Sequence, residues 1–449
     1  MKVRIMIAVY LLLVLSSCEG FLDQKPQSNL LIPEKVQDLE QLMDGTTWGI
    51  NNTPAILEIS TDNLYFTEQG YLGLSFLERN AYTWQQDLYE FNGTDWDIPY
   101  RQILVANVVL QEAEKITPAN QKELELLPVL RGRALWMRSQ AYFQLLSTFA
   151  APYDPNGRND SPGVPLRLSP EVGMVVERGT VGEDYAQITS DLEMAIPLLP
   201  EIADYKTRPS KLSAHALLAR IYLAMEIYEK AEFHAKKALE IKDTLMDYSG
   251  LNLTRQFPFA LFNEEVIHHL QMLSYNHMNS GLTFVDTTLV KEFAENDLRK
   301  ELLFTKAAQG FNFDGNYSGS RVRFSGLATN EMFLIAAECA ARKGNTTESL
   351  GLINKLLVSR WKKGTYVPIS SSNAEEALRI ILQERRKELI FRGVRWTDLR
   401  RLNRDPRFAK VLNRKIGSET YEIRPGSLRY VLPIPPEEIQ VSGIPQNLR

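Results

Sequence analysis

Segments with the periodicity of paired α-helices recur along this chain, and the recurrence limits the folds open to it. In the clearest copy, 212–241, small and large apolar residues follow the order of a tetratricopeptide helix pair, with Glu226 where the turn glycine usually stands. A second copy, 333–357, turns at Gly344. Such pairs cannot bury their apolar faces alone and must stack, and about three are needed for a stable array.

Two further copies bring the predicted number to about four helix pairs. One copy is split, because a stretch rich in Pro, Gly and Asp at 151–179 separates its first helix, 129–149, from its second, 182–199. The other runs over 374–402 and turns near Gly393. We therefore predict a mostly α-helical, tetratricopeptide-like repeat array, with a generic helical bundle as the alternative.

The first residues have the pattern of a bacterial lipoprotein signal. Lys2 and Arg4 precede the apolar run 5–15, and two serines stand directly before Cys18. The run is too short for a spanning helix, which needs about 20 residues. We expect 1–17 to be a signal peptide and Cys18 to be acylated, so that a lipid holds the protein on a membrane. An ordinary signal peptide with an incidental cysteine is the alternative.

The rest of the chain has the composition of a globular protein. Hydrophobic residues make up 44% and charged residues 24%, and the formal net charge of −4 gives no basic excess that would suggest nucleic acid. The second of the two cysteines, Cys339, lies in an alanine-rich helical segment and is expected to be a small core residue. His268 and His269 are adjacent on a predicted strand, 265–272, and would point to opposite faces, so a shared metal is not expected.

No catalytic or cofactor motif stands out in the sequence. We find no H-E-x-x-H, no G-x-S-x-G, no phosphate-binding glycine loop and no Cys/His set with metal spacing. The sequence therefore predicts neither an enzyme nor a metal or cofactor site.

The segment 384–401 is too dense in charge for an ordinary solvated helix. Its spacing predicts two local ion pairs, Glu388 with Arg392 and Arg395 with Asp398. We interpret the segment as a helix pair whose charged rows hold its neighbours.

Trp396, in the same segment, is expected to pack between repeat helices. A hydrolase that uses Glu384 and Glu388 is not favoured, because both side chains would face the same side of a helix inside a structural network.

The same segment resembles the signature of the SusD/RagB family of outer-membrane nutrient-binding lipoproteins. The residues that match the signature are Glu384, Arg385, Glu388, Gly393, Arg395, Trp396 and Asp398. Arg392 departs from it, since the family usually has Glu there. Further matches follow in the family's order, from Cys18 with Phe21-Leu22-Asp23 to Leu432-Pro433-Ile434-Pro435, so the resemblance covers essentially the whole chain.

The resemblance implies a mostly helical protein on the outer face of the outer membrane of a Bacteroidetes-type bacterium. Family members lie as a lid on a TonB-dependent transporter of the SusC type. They bind a glycan or, in some members, a peptide for import, and no chemistry is expected of them.

We expect the ligand to be bound outside the repeats, where turn residues and aromatic residues mix. We predict that the body, 18–449, has a helix-repeat scaffold at approximately 96–241 and 328–404. The ligand-binding region is expected at approximately 45–95 and 250–327, and to be irregular and rich in loops with a minor β component. A closing segment follows at 405–449.

Sugars are bound by aromatic faces, with amides, carboxylates and arginines fixing the hydroxyls. The candidate ligand-binding residues of this kind are Asp62, Asn63, Tyr65, Tyr71, Arg79, Trp84, Tyr275, Phe313 and Tyr317. Burial in the core is the alternative for these aromatic residues, and for Trp84 in particular.

Four functions follow from these features. The first is a surface lipoprotein that captures oligosaccharide for a transporter, and the second keeps the architecture but binds peptide or another polymer. The third is a tetratricopeptide scaffold of the envelope without a small ligand. The fourth, a hydrolase with two carboxylates, lacks any motif that singles out the pair.

Overall fold

The structure is a computed structural model that describes residues 33–45, 49–90, 93–171, 173–279 and 281–449. Cys18 and the predicted signal peptide lie outside the described residues. Helices account for most of the regular structure, and the strands are short. The predicted mostly α-helical fold class is confirmed.

The helices belong to two length classes, long ones that form the repeats and short ones in the irregular segments. In chain order they are α1 (Val36–Asp44), α2 (Ile56–Ser60), α3 (Glu68–Leu72), α4 (Phe76–Tyr82), α5 (Thr94–Glu112), α6 (Gln121–Phe149), α7 (Val181–Leu198), α8 (Lys211–Ala224), α9 (Tyr228–Ile241), α10 (Asn276–Asn279), α11 (Thr287–Lys291), α12 (Arg299–Leu303), α13 (Thr329–Arg342), α14 (Thr346–Val358), α15 (Ala374–Glu388), α16 (Arg395–Leu402) and α17 (Pro436–Ser442).

The strands form small two-stranded sheets. In chain order they are β1 (Asn52–Thr53), β2 (Leu64–Phe66), β3 (Pro162–Pro165), β4 (Arg178–Thr180), β5 (Val266–His268), β6 (Gln271–Met272), β7 (Thr283–Val285), β8 (Phe304–Ala307), β9 (Gly310–Phe313), β10 (Leu327–Ala328), β11 (Leu412–Ile416) and β12 (Glu419–Ile423). The pair β1–β6 is parallel, whereas β2–β7, β3–β4, β5–β10, β8–β9 and β11–β12 are antiparallel.

The long helices stack in one series. Each of α5 to α8 packs on the next helix, α9 packs on α13, and α13 packs on both α14 and α15. The chain between α9 and α13 leaves the stack and returns to it, and this excursion contains β5 to β10. The stacking confirms the tetratricopeptide-like array, while the assignment of scaffold and ligand-binding regions remains a prediction.

Polar caps explain where several of these helices begin. A side-chain oxygen accepts a hydrogen bond from a first-turn backbone N–H at Thr180 before α7, at Ser210 before α8, at Asn345 before α14 and at Asn373 before α15. Such a cap satisfies a donor that the helix leaves without an internal partner.

The turns inside two helix pairs use the left-handed backbone region. Gly344, between α13 and α14, has φ +80°, and Glu226, between α8 and α9, has φ +60°. A residue other than glycine is disfavoured in this region, so Glu226 occupies the glycine position at a conformational cost.

The predicted fourth pair differs from the other three. Gly393 makes the expected turn with φ +73°, but α16 then packs mainly against α2 and α8, while α15 packs against α13. The two helices therefore connect different parts of the molecule.

Glu384 and Glu388 of the charged segment bind arginines that are distant in the sequence. Glu388 accepts hydrogen bonds from Arg299 at 3.0 Å and from Arg360 at 2.9 Å, and Glu384 accepts from Arg299 at 2.7 Å. The predicted pair of Glu388 with Arg392 is wrong, because other guanidinium groups occupy the carboxylate.

The second predicted pair is also wrong. Arg395 donates to Asp62 at 2.7 and 2.9 Å, whereas Asp398 accepts from Arg385 at 2.8 Å and from Arg401 at 2.9 Å. Local spacing allowed the pair of Arg395 with Asp398, but the packing supplied other partners.

Trp396 is buried as expected, with different neighbours. Its ring packs beside Tyr430, with centroids 4.7 Å apart, and its indole N–H donates to the carbonyl oxygen of Tyr430 at 3.1 Å. Trp84 and residues of β11 and β12 complete this cluster. Trp396 thus joins α16 to the C-terminal segment instead of packing between repeat helices.

Within the described residues, no helix combines the length and the apolar character that a membrane crossing requires.

Candidate ligand-binding site

Tyr65 is presented by a small sheet outside the helix stack. Strands β2 and β7 pair with Tyr65 opposite Phe284, and the two ring centroids are 5.5 Å apart. Phe284 is buried, whereas Tyr65 is half-buried. Cross-strand aromatic pairs stabilise such a sheet, so Phe284 supports the ring of Tyr65 from within.

The β8–β9 hairpin fixes the hydroxyl end of the same ring. The Tyr65 hydroxyl donates to the carbonyl oxygen of Gln309 at 2.7 Å. Gly310 has φ +155°, and a Cβ atom at this position would lie close against the Tyr65 hydroxyl. Only glycine allows this approach, because it lacks a Cβ and tolerates positive φ.

A pocket of about 530 Å³ lies beside Tyr65. The residues that line it are Asp62, Leu64, Tyr65, Asp286, Thr287, Thr288, Lys410, Val411, Leu412, Asn413 and Arg414. They come from β2, from the start of α11 and from the segment that enters β11. We call this the Tyr65 pocket.

An ion-pair cluster stiffens one wall of the Tyr65 pocket. Asp62 binds the guanidinium of Arg395 and accepts from the ammonium group of Lys410 at 2.8 Å. Burial by itself would raise the pKa of the Asp62 carboxyl, but Arg395, Arg386 and Lys410 together hold it well below its usual range. Asp62 is therefore ionised and serves to position Lys410 at the pocket.

Polar side chains at the mouth of the pocket offer hydrogen bonds. Asp286 caps α11 and accepts from Arg386 at 2.8 Å, while Thr287, Thr288 and Asn413 are exposed. Burial favours the neutral form of Asp286, but its bonds to Thr288 and Arg386 outweigh this and lower its pKa. An aromatic face beside carboxylate, amide, ammonium and hydroxyl groups is a set suited to binding a polyhydroxylated ligand.

A second pocket, of about 240 Å³, adjoins the same strands. Its lining includes Thr283 of β7, Asn312 and Phe313 of β9, and the side chains of Asp314 and Arg321. The amide of Asn312 donates to the carbonyl oxygen of Thr283 at 2.8 Å and so holds β9 to β7.

The structure brings three predicted site residues to these pockets. Asp62 and Tyr65 line the Tyr65 pocket, and Phe313 lines the second. Phe313 is largely buried, with its ring 4.8 Å from that of Phe391, so it contributes more to packing than to an open surface.

Two aromatic residues that we expected to contact the ligand are instead buried in the core. Trp84 is 1% exposed, and its indole N–H donates to the carbonyl oxygen of Ser60. Tyr317 is 3% exposed, and its hydroxyl donates to Glu265 at 2.9 Å. Neither ring presents a face to a ligand in this structure, because core side chains cover both.

The remaining predicted residues serve local structure. Asn63 is buried and donates to Glu58 at 3.1 Å, and Arg79 donates to the carbonyl oxygen of Leu74 at 2.8 Å. Tyr71 lies half-buried beside the ring of Tyr82. Tyr275, also half-buried, donates its hydroxyl to Asp95.

Several residues of the Tyr65 pocket were missed by sequence reasoning. Asp286-Thr287-Thr288 has the pattern of a helix N-cap, and Lys410 and Asn413 fall in the segment predicted to close the fold. The mixture of turn and polar residues at 403–413 was the available signal, but nothing local connects it with Tyr65.

Comparison with known proteins identifies the class. Residues 20–223 match a SusD-like family described as "starch-binding associating with outer membrane", and residues 318–448 match the SusD family. A SusD-like protein P2 from Formosa agariphila is 23% identical, with 98% of each chain covered. The chain belongs to the SusD/RagB family, whose members are associated with the outer membrane.

Solved structures share the fold over nearly the whole chain. A SusD superfamily protein from Bacteroides thetaiotaomicron is 22% identical with a TM-score of 0.76, covering 92% of this chain and 100% of that one. A SusD-like carbohydrate-binding protein from Bacteroides vulgatus is 19% identical with a TM-score of 0.67, covering 92% and 97%. A laminarin-binding SusD-like protein is 18% identical with a TM-score of 0.65, covering 92% and 99%.

Proposed function

We propose that this protein is a cell-surface lipoprotein that captures an oligosaccharide and passes it, without chemical change, to a TonB-dependent transporter of the SusC type. The observation that carries the proposal is the half-exposed ring of Tyr65 beside a pocket of about 530 Å³ with Asp286, Lys410 and Asn413 around it. An aromatic face can pack on the C–H surface of a sugar, while the polar groups fix its hydroxyls.

The comparisons support a glycan as the ligand. Two structures that share the fold are described as carbohydrate-binding and laminarin-binding. A peptide is the second ligand class to test.

The anchor and the transporter rest on the sequence and the family. Cys18 follows a secretory signal pattern, and the family is associated with the outer membrane. Transfer to a transporter is inferred from what the resemblance to the family implies. Affinity isolation with the full-length protein from membranes should recover a TonB-dependent transporter, and its absence would count against the transfer step.

Binding can be tested on the purified chain without its signal peptide. A glycan array and a peptide panel, followed by calorimetry on the best ligands, should identify an oligosaccharide that is recovered intact after incubation. Tyr65→Ala should weaken binding several-fold. Tyr205→Ala is the matched control, since Tyr205 is 61% exposed and does not line the Tyr65 pocket.

Other outcomes would change the proposed ligand, activity or binding site. Binding to peptides alone would replace the oligosaccharide with a peptide, and a shortened glycan after incubation would show hydrolysis. Equal affinity of the Tyr65→Ala variant and wild type would place the ligand elsewhere on the molecule.

A further inference from the structure

A small cavity lies inside the molecule, away from the Tyr65 pocket. It has a volume of about 30 Å³ and is lined by residues of α6, α8 and α16, by the turn between α15 and α16, and by residues 53–58. A cavity needs roughly 10–15 Å³ of such volume to hold one water molecule. The cavity can therefore hold a small occupant.

Arg392 belongs to the wall of this cavity and makes no close ion pair among the described residues. The side chain lines the cavity and is 6% exposed, and its Nε and Nη2 groups have no hydrogen-bond partner among the described residues. Its guanidinium lies 4.7 Å from the ring centroid of Tyr317 and 4.4 Å from that of Phe324. Both rings hold the guanidinium in place but supply no acceptor for these N–H groups.

Two further donors on the cavity wall also lack partners. The Nη1 group of Arg385 and the hydroxyl of Ser147 are buried, line the cavity and make no hydrogen bond within the described chain. The unpartnered polar atoms of the lining residues are thus three guanidinium nitrogens and one hydroxyl. Buried donors without acceptors are costly, and a set made almost entirely of donors matches an anion.

Each of the other arginines on the wall forms an ion pair with a carboxylate. Arg220 binds Glu331 at 2.6 and 3.0 Å, Arg401 binds Glu338 at 2.8 Å, and Arg385 binds Asp398 through its Nε group at 2.8 Å. Arg392 is therefore the arginine of the wall that makes no close ion pair among the described residues.

Glu58, also on the wall, bonds to groups other than Arg392. Its carboxylate accepts from the amide of Asn63 at 3.1 Å and from the backbone N–H of Gly393 at 3.1 Å. Burial is the main cause that raises the pKa of Glu58, despite these bonds and the charge of Arg323.

We propose that this cavity is a binding site for one small monovalent anion, such as chloride, held by the unpartnered groups of Arg392, Arg385 and Ser147. The ion would join α6 and α15 to the turn before α16 and so stabilise the contact between these elements. This site is independent of the proposed oligosaccharide site.

Bromide is a suitable probe, because it resembles chloride and gives an anomalous X-ray signal. Crystals of the wild-type protein soaked in sodium bromide should show an anomalous peak in the cavity beside Arg392. Crystals with only water or empty space in the cavity would overturn the proposal, even if bromide binds elsewhere as an adventitious ion only.

Thermal unfolding gives a second readout in solution. A ligand that binds only the folded state raises the melting temperature, so bromide or chloride should raise that of the wild type above its value in sodium gluconate at equal ionic strength. The Arg392→Gln variant should lose this anion-specific rise. The matched control is Arg424→Gln, because the Arg424 side chain is 74% exposed and pairs with Glu422 at the surface.

The two variants separate specific binding from general salt effects. An equal rise in wild type, Arg392→Gln and Arg424→Gln would overturn the proposal, because it would show a general effect of the salt. If Arg392→Gln does not fold, the anomalous experiment on wild-type crystals decides, since it requires no variant.

Discussion

At the scale of single residues, the Tyr65 ring is the group whose loss should separate binding from stability. Tyr65→Ala should weaken oligosaccharide affinity several-fold, because an aromatic contact contributes on the order of 1 kcal/mol. Its ring is half-buried at the edge of the small sheet, so the fold should survive. Calorimetry and circular dichroism would measure the two effects.

A conservative variant refines this expectation. Tyr65→Phe removes the hydroxyl that donates to Gln309 but keeps the ring. It should retain most of the affinity, and a loss as large as that of Tyr65→Ala would mean that the hydroxyl, not the aromatic face, matters for binding.

Trp396 is the opposite case, a residue that should matter for stability alone. Trp396→Ala should lower the free energy of unfolding by about 3 to 5 kcal/mol, because the indole is buried against Tyr430 and Trp84. Urea unfolding would measure the loss. Oligosaccharide affinity of the folded fraction should stay unchanged, and a normally stable variant that no longer binds would contradict this division.

At the scale of elements, the β8–β9 hairpin positions the Tyr65 ring. Gly310→Ala should displace either the ring or the hairpin, because the new methyl group would collide with the Tyr65 hydroxyl. We expect lower oligosaccharide affinity together with some loss of stability, measured by calorimetry and urea unfolding.

The turn glycine Gly344 provides the matched control for this variant. It also has positive φ, but the space around its Cβ position is open. Gly344→Ala should cost about 1 kcal/mol of stability through backbone strain and leave affinity unchanged. Equal losses of affinity in both variants would remove the hairpin from the site.

At the scale of the whole molecule, buried ion pairs should make stability depend on acid pH. Burial alone would raise the pKa of Glu388 and of Glu338, but the guanidinium groups of Arg360 and Arg299 around Glu388, and of Arg401 and Arg342 around Glu338, lower both to about 2. The ordinary value is 4.5, so the folded state holds fewer protons between pH 4.5 and 2. Their contribution is present above pH 4.5 and is lost as the pH falls toward 2.

Urea unfolding from pH 7 to pH 3 would test this dependence. The free energy of unfolding should fall below pH 4.5, with each of the two carboxylates accounting for roughly 3 kcal/mol over its full range. Glu388→Gln should be less stable at pH 7 and should show a shallower fall. A wild-type curve that stays flat down to pH 3 would contradict the prediction.

Membrane attachment is also a property of the whole molecule. Cys18→Ala should leave the body folded but release it from the membrane, because a lipid tether supplies membrane affinity and no core packing. Palmitate labelling and fractionation would measure this. Retention on the membrane after a high-salt wash would contradict the anchor or show that a transporter alone holds the protein.

The sequence by itself determined the helical class, the turns at Glu226 and Gly344, and the membership of a family. The helical class and the turns depend on periodicity and on short-range backbone preferences, which a chain expresses over a few residues. The family follows instead from the resemblance of the segment 384–401 to the family's signature. Trp396 and Cys339 could be assigned to the interior for the same reason, and the structure buries both.

Only the tertiary structure decided the partners of the charged residues and the composition of the candidate site. Glu388 and Arg392 are spaced for a local pair, but in a close-packed interior the nearest opposite charge came from Arg299 and Arg360, far away in the chain. In the same way, Lys410 lines the Tyr65 pocket and bonds to Asp62, which lies 348 residues earlier in the chain. Such contacts depend on how distant elements pack, and no local pattern in a single sequence records that packing.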